Sequence, residues 1–193
     1  MSNHRALSGT PAPTEYSPYH LGYLSKVLPG VAKPEELPAL LHGHEDDAQS
    51  FLELQLRTLA GLTSEIPAGK ENARYAPGKW TVRELLGHIA DTERILNWRA
   101  LAAARGDKNN IQPFEQDDYV AIAGHDGIPV AQWVEQLEAI RKSSLALLST
   151  FGPDDWRRLG RSNGFLVSAR AWAFVMGCHL ELHLNTLRTK YLA

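Results

Sequence analysis

Three histidines carry the strongest chemical signal in this chain. His179 and His183, in His179-Leu180-Glu181-Leu182-His183, are four residues apart, which on an α-helix is about 40° beyond one full turn. Both imidazoles therefore leave the same face, one turn apart. Trp172, Val175 and Met176 share that face, so it points into an interior. A buried imidazole nitrogen without a partner costs free energy, and one shared metal ion satisfies a nitrogen on each ring. The HxxxH spacing alone recurs by chance, and a pair of neutral core histidines with ordinary hydrogen-bond partners is the alternative. A third ligand from a facing helix favours the metal. His88, in Gly87-His88-Ile89-Ala90-Asp91, is the best candidate, in the middle of another helical pattern and at the edge of its apolar stripe. Asp91, three residues on, lies on the same flank, where a carboxylate can orient a ligating imidazole through its other nitrogen.

Three neutral nitrogen ligands leave a divalent ion with an open position, the catalytic rather than the closed structural type. Imidazole suits several transition metals; one divalent ion is expected, Zn or Ni ahead of Fe. Such an ion lowers the pKa of bound water or binds and activates a thiolate. Arg99 falls at nearly the angular position of His88, three turns on. For Asp91 and Arg99 an exposed helix face with ordinary ion pairs is the competing reading, and for Glu93 it is the preferred one. His42 and His44 face different sides of a helix, His125 lies in the turn Gly124-His125-Asp126-Gly127, and His4 and His20 are in or near the N-terminal tail; none of these is expected at the site. Cys178 points about 100° away from its neighbour His179 and reads as a small packed residue.

Four helical patterns must position these residues. The first runs over 35–62, with a possible start near His44 because Gly43 is a weak point. The second opens at Thr81-Val82-Arg83-Glu84, a capping box, and ends near Arg105-Gly106, a basic residue followed by glycine. The third spans 130–151 and is stopped by Gly152-Pro153; the fourth spans 168–190. Strand signals are weak. Long connections, 106–129 and 152–167, fit a bundle with crossovers rather than a simple up-and-down arrangement. The segment Gln112-Pro113-Phe114-Glu115-Gln116-Asp117-Asp118-Tyr119 is a solvated loop or the rim of a site. The expected fold is thus all-α, a four-helix bundle with long crossover connections, in which 1–14 form a loose tail and 15–193 one helical domain.

The chain has 193 residues, 44% hydrophobic and 22% charged, with a net charge of −2. That size sustains a core without disulfides, and the single cysteine excludes an intrachain one. The charge gives no electrostatic grip on nucleic acid or an acidic membrane. The N-terminus lacks an apolar signal-peptide region and no run approaches a membrane span, so a cytoplasmic location is expected.

Several motifs together resemble the DinB/YfiT-like superfamily: Arg74-Tyr75-Ala76-Pro77-Gly78-Lys79-Trp80-Thr81, Leu86-Gly87-His88, Asp91-Thr92-Glu93-Arg94, Trp98-Arg99-Ala100-Leu101, Ala104-Arg105-Gly106-Asp107, Pro113-Phe114-Glu115-Gln116-Asp117, and the closing His179, His183, Leu187-Arg188 and Tyr191-Leu192. The resemblance covers about Tyr16 to the end. It implies a four-helix bundle with unusual connections, a metal held by His88, His179 and His183, and frequent dimerisation. It also implies a small-molecule substrate: some relatives are S-transferases or isomerases that use low-molecular-weight thiols, others metal-dependent hydrolases. One departure stands out. Where relatives often read Gly-His-Glu-x-His-His, this chain has Cys178, His179, Leu180, Glu181, Leu182 and His183, so polar groups beside the ligand pair are replaced by leucine. The expected activity is a thiol-dependent S-transfer to a small electrophile; the alternatives are hydrolysis by activated water and a non-catalytic, metal-stabilised dimer. A ferritin-like di-iron site ranks low, because it needs Glu-x-x-His pairs and Leu180 stands where that Glu would be.

Overall fold

Capping chemistry sets where the helices begin. The structure, a computed structural model, describes residues 11–16 and 47–193. The expected first half of the first helix, and His4, His20, His42 and His44, lie outside the described residues. Within them α1 spans Ala48–Glu65, and its N-cap Asp47 accepts from the amides of Gln49 and Ser50. Helix α2, Val82–Ala104, starts with the reciprocal Thr81–Glu84 box, which satisfies two otherwise orphaned amides. A short helix α3, Gln116–Ala123, ends at Gly124 in the left-handed conformation, which glycine adopts without steric cost. Helix α4 spans Val130–Leu148 and the five-residue α5 Pro153–Arg157. Helix α6, Ala169–Thr186, is capped by Ser168 and continues as a π turn over Leu187–Tyr191.

The four long helices make the expected bundle. Helix α2 packs on α4 and α6, and α1 also packs on α4 and α6. Helices α1 and α6 come close at Gly177, where a Cβ would stand 2.3 Å from the Phe51 ring.

The long connections hold strands that the weak period-2 signal does not reveal. β1 (Asn110–Ile111) runs parallel to β2 (Leu159–Ser162), and β2 pairs antiparallel with β3 (Phe165–Ser168). Asn163 and Gly164 form the hairpin turn with φ of 48° and 80°, the Asn-Gly chemistry of a two-residue hairpin. This small sheet ties the 106–129 connection to the entrance of α6.

Two apolar clusters fill the bundle, and each long helix places a buried polar residue between them. Gln55 lies between Leu52 and Leu59, Glu93 between Ala90 and Leu96, Arg141 and Ser144 between Ile140 and Leu148, and Glu181 between Cys178 and Leu184. The polar layer is joined throughout. Arg141 donates from Nε and Nη2 to the two oxygens of Glu93 at 2.7 and 3.0 Å and from Nη1 to Gln55 Oε1 at 2.5 Å. Gln55 Nε2 in turn donates to Glu181 Oε1 at 2.8 Å and to the Gly177 carbonyl at 2.9 Å, and the Ser144 hydroxyl donates to Glu93 at 3.1 Å. Glu93 is therefore not on an exposed face: only 3% of it is accessible, because its partner Arg141 lies on the inward face of α4. Among the described residues no helix is long and apolar enough to cross a membrane.

Candidate metal centre

His88 from α2 and His179 and His183 from α6 meet where these two helices pack. One nitrogen from each ring lies within 4.8 Å of the others. His88 Nε2 and His183 Nε2 each stand 3.1 Å from His179 Nε2. A neutral imidazole nitrogen has either one proton or one lone pair, so His179 Nε2 cannot form two full hydrogen bonds to these neighbours. A cation at the point of convergence uses all three lone pairs. Two nitrogens on a tetrahedral zinc ion are about 3.3 Å apart, given bonds of about 2.0–2.1 Å, which the observed separations approach.

The electrostatics also suit ligands. Burial, then the neighbouring His183 and His125, lower the His88 pKa to about 3. Burial lowers that of His183 to about 4, and burial followed by His183 and His88 holds His179 well below its ordinary value. All three rings are thus neutral at pH 7 with lone pairs available, the form a metal requires. The donor set and its protonation fit one divalent transition metal.

The surroundings of His88 differ from the sequence expectation in one respect. Asp91 does not face His88: its carboxylate lies 3.3 Å from His125 Nε2 and 3.3 Å from Arg94 Nη1. The group at His88 Nδ1 is the Thr92 hydroxyl, at 3.4 Å. Helical geometry explains this, since residue i+4 almost overlies residue i and its side chain leans toward the N-terminus, whereas i+3 is displaced to the flank. Trp80 packs on the other side of His88, ring centroids 4.6 Å apart.

His125 is not exposed either. It is 97% covered, being 3% accessible, and sits edge-on to Trp133 with centroids 5.1 Å apart. Gly87 makes this possible, because a Cβ there would stand 2.5 Å from the His125 ring. Cys178 is fully buried, and burial followed by the Glu181 charge raises its thiol pKa well above the ordinary value, so it is an inert packed residue.

Among the described residues, two cavities reach the histidines. One, of about 170 Å³, is lined by His88, His179, Thr92, Arg99, Phe114 and Trp172 among others. The other, of about 350 Å³, touches His183, Trp80, Tyr75, Lys79, Asp117 and Tyr191. Gln116 lines both. The segment 112–119 thus supplies the rim: Phe114, Glu115 and Gln116 to the first cavity, Gln116 and Asp117 to the second. Thr92 is a wall residue that spacing alone did not single out, although it was detectable as the i+4 neighbour of His88.

Known proteins resemble this chain in sequence and in fold. The DinB superfamily is matched over residues 52–187. Two relatives carry the name "Putative metal-dependent hydrolase". That from Geobacillus thermodenitrificans is 29% identical over 101 residues, 52% of this chain and 54% of its own length, so the match spans about half of that relative. That from Oceanobacillus iheyensis is 26% identical over 138 residues, covering 68% of this chain and 78% of its own. Among solved structures, YfiT from Bacillus subtilis, described as "a probable metal-dependent hydrolase with an unusual four-helix bundle topology", superposes with a TM-score of 0.66 at 15% identity, over 74% of this chain and 84% of that one. With the bundle formed and the family matched over most of its length, this chain belongs to the DinB superfamily.

Proposed function

We propose that the protein is a metal-dependent enzyme that holds one divalent ion, Zn or Ni ahead of Fe, on His88, His179 and His183, and joins a low-molecular-weight thiol to a small electrophile. The observation that carries this reading is the pair of cavities, one lined by His88 and His179 and the other by His183. A reaction of two organic substrates needs two such spaces beside one centre. When bound, the ion supplies the positive charge that favours a deprotonated thiol at neutral pH. The chain's own residues then bind and orient. Gln116 stands between the two spaces, and Trp80, Tyr75 and Tyr191 offer apolar wall to the body of one reactant. Bringing both reactants into contact lowers the entropic part of the barrier. Leu180 belongs to the apolar core and Glu181 is engaged by Gln55, so helix α6 brings no carboxylate to the centre. The carboxylates in the described cavity walls are Glu115 and Asp117.

Hydrolysis by activated water is the second reading, and the names of the relatives and of YfiT favour it. It uses the same histidines and leaves the larger cavity to the leaving group. Metal content separates both from a non-catalytic bundle. Untagged protein purified without chelator is expected to hold close to one equivalent of Zn, Ni or Fe by plasma mass spectrometry, and the His179→Ala/His183→Ala variant none while still helical. Absence of metal, with no uptake on titration, overturns both readings. The loaded protein is then offered chlorodinitrobenzene with and without cysteine, glutathione or coenzyme A. Thiol-dependent conversion that the double variant lacks supports transfer. Turnover of a nitrophenyl ester without thiol, and no thiol conjugation, moves the assignment to hydrolysis.

A further inference from the structure

Residues 113–123 form part of the wall of both cavities, yet little ties them to the bundle. Phe114, Glu115 and Gln116 line the smaller cavity, and Gln116 and Asp117 the larger, so one segment bounds both. Helix α3 lies against α2, but Val120 is its only buried residue, and Val120 belongs to neither apolar cluster. Ile122, on the same helix, is 86% accessible. The Phe114 ring meets the Arg99 guanidinium at 5.9 Å and, within the segment, the Tyr119 ring at 5.2 Å. Among the described residues, 113–123 make no hydrogen bond or ion pair with another part of the chain; their bonds run inside the segment, as from the Tyr119 amide to the Glu115 carbonyl at 3.2 Å.

Both flanks, by contrast, are pinned. On one side β1 pairs with β2, the Asn163 amide donates to the Ile111 carbonyl at 2.9 Å, and the Gly164 amide donates to Asn110 Oδ1 at 2.9 Å. On the other side His125 is buried beside Asp91, and Trp133 Nε1 donates to its carbonyl at 3.3 Å. The Thr81 hydroxyl donates to Asp126 Oδ1 at 2.5 Å, and Arg83 Nη1 to the Asp126 carbonyl at 3.0 Å. The joint between α3 and this second pin is Gly124, at φ 64°, the residue type whose φ changes at least steric cost. At the other end residues 112, 113 and 115 are exposed and Phe114 is half-buried.

We propose that 113–123 is a lid, seen here closed, which swings about Gly124 between two fixed pins to admit small molecules to the histidines. A segment with one buried side chain and no hydrogen bond to its surroundings sits at the low end of local stability, so it opens while the core stays closed. The site needs such a motion, because His88 and His179 are only 3% and 4% accessible. Closure then shuts water out of both cavities at once, the service that lids perform in many enzymes. The lid goes beyond the proposed reaction and is the same device for thiol transfer and for hydrolysis.

Diethyl pyrocarbonate acylates a neutral imidazole only where it can reach it, so it reports opening without any activity. The full chain is treated with chelator present, so that no ion occupies the nitrogens, and modification of His88 and His183 is followed by mass spectrometry. Val120→Ala removes two buried carbons from the lid and is expected to raise that rate about fivefold by favouring the open form. The buried Cys178 thiol, which a disulfide reagent reaches only when the bundle itself opens, is expected to react as in wild type. An unchanged histidine rate in Val120→Ala overturns the lid. Hydrogen exchange of the wild type is the second measurement. An eight-residue helix that leaves the body does not hold itself together, so amides 115–123 are expected to exchange near the rate of a free chain while α2 and 125–134 stay protected. Protection of 115–123 equal to that of α2 overturns the proposal. If Val120→Ala loosens the whole bundle and Cys178 speeds up as well, the exchange pattern decides alone. Neither readout needs metal or turnover, so the lid stands or falls separately from the proposed reaction.

Discussion

Gly87 and Thr92 flank His88 and do different work for it. Gly87 gives up its side chain so that His125 can lie against α2, and a Cβ there would sit 2.5 Å from ring atoms. The ring cannot move aside easily, because it is clamped between Asp91 at 3.3 Å and Trp133. Gly87→Ala improves helix propensity by about 1 kcal/mol, but overpacking of this kind costs about 1–3 kcal/mol. The clash is expected to win, and a urea titration should show a lower midpoint with an unchanged slope. A midpoint at or above wild type would mean that the turn at 124–127 shifts freely. Thr92 has the second task. Its hydroxyl, 3.4 Å from His88 Nδ1, is placed to fix which ring nitrogen carries the proton. Groups in that position typically affect metal affinity about 10–100-fold. Thr92→Val preserves shape and removes the hydroxyl. It is expected to weaken zinc binding about tenfold, the lower end of that range because the contact is long, in a competition titration against a chromogenic chelator. Unaltered affinity would assign the threonine to packing alone.

The elements meet through the polar layer as well as through apolar packing. Arg141 on α4 binds Glu93 on α2 and Gln55 on α1, and Gln55 reaches Glu181 on α6. Removing one partner of such a pair strands a buried charge and costs about 3–5 kcal/mol, while replacing both with apolar residues is often neutral. Arg141→Met should therefore destabilise strongly, and adding Glu93→Leu should recover most of the loss. Chemical denaturation of the two single variants and the double variant measures the coupling; additive losses would show that the layer is not one unit. Burial and Glu181 itself illustrate the layer's cost, since burial raises that carboxyl's pKa against the lowering by Gln55, Arg188 and Arg141. This layer was hidden in the sequence. Helical periodicity identifies apolar stripes, and Glu93 and Arg141 interrupt theirs with residue types that normally face water, so only the pairing across helices makes them interior. The helix ends were legible where local chemistry writes them, at Thr81–Glu84 and at the Arg105-Gly106 stop. The hairpin was not read from the sequence: Asn163-Gly164 is a turn signal, but the strands on either side are only four residues each, too short for alternation to stand out. The meeting of His88 with His179 and His183 followed from two helix faces and one family resemblance. Which neighbour turns toward His88 did not, because i+3 and i+4 are both plausible from spacing and only the side-chain lean separates them.

For the whole molecule, the three histidines are expected to make folding stability depend on pH and on metal together. Their folded-state pKa values are lower than the ordinary 6.5, near 3 for His88 and near 4 for His183, because the rings are buried. Above pH 6.5 both folded and unfolded chains carry them neutral, and they contribute no pH dependence. As the pH falls through 6.5 the unfolded chain takes up protons first. The metal-free folded state then loses about 1.4 kcal/mol per pH unit for each such histidine, until the folded rings themselves protonate near pH 4 and pH 3. A melting temperature that falls between pH 7 and pH 5 in metal-free protein, and falls less in His88→Ala, is the expected result. Zinc is expected to act in the opposite direction, by binding the neutral rings of the folded state only. At a hundred times its dissociation constant a ligand adds about 2.7 kcal/mol, so zinc should raise the melting temperature at pH 7. That rise should shrink toward pH 5, as protons compete for the same nitrogens, and vanish in His179→Ala/His183→Ala. Calorimetric melts at pH 5, 6 and 7, with zinc and with chelator, measure both linkages. A zinc effect of equal size at every pH, or one that persists in the double variant, would place the bound ion away from these histidines.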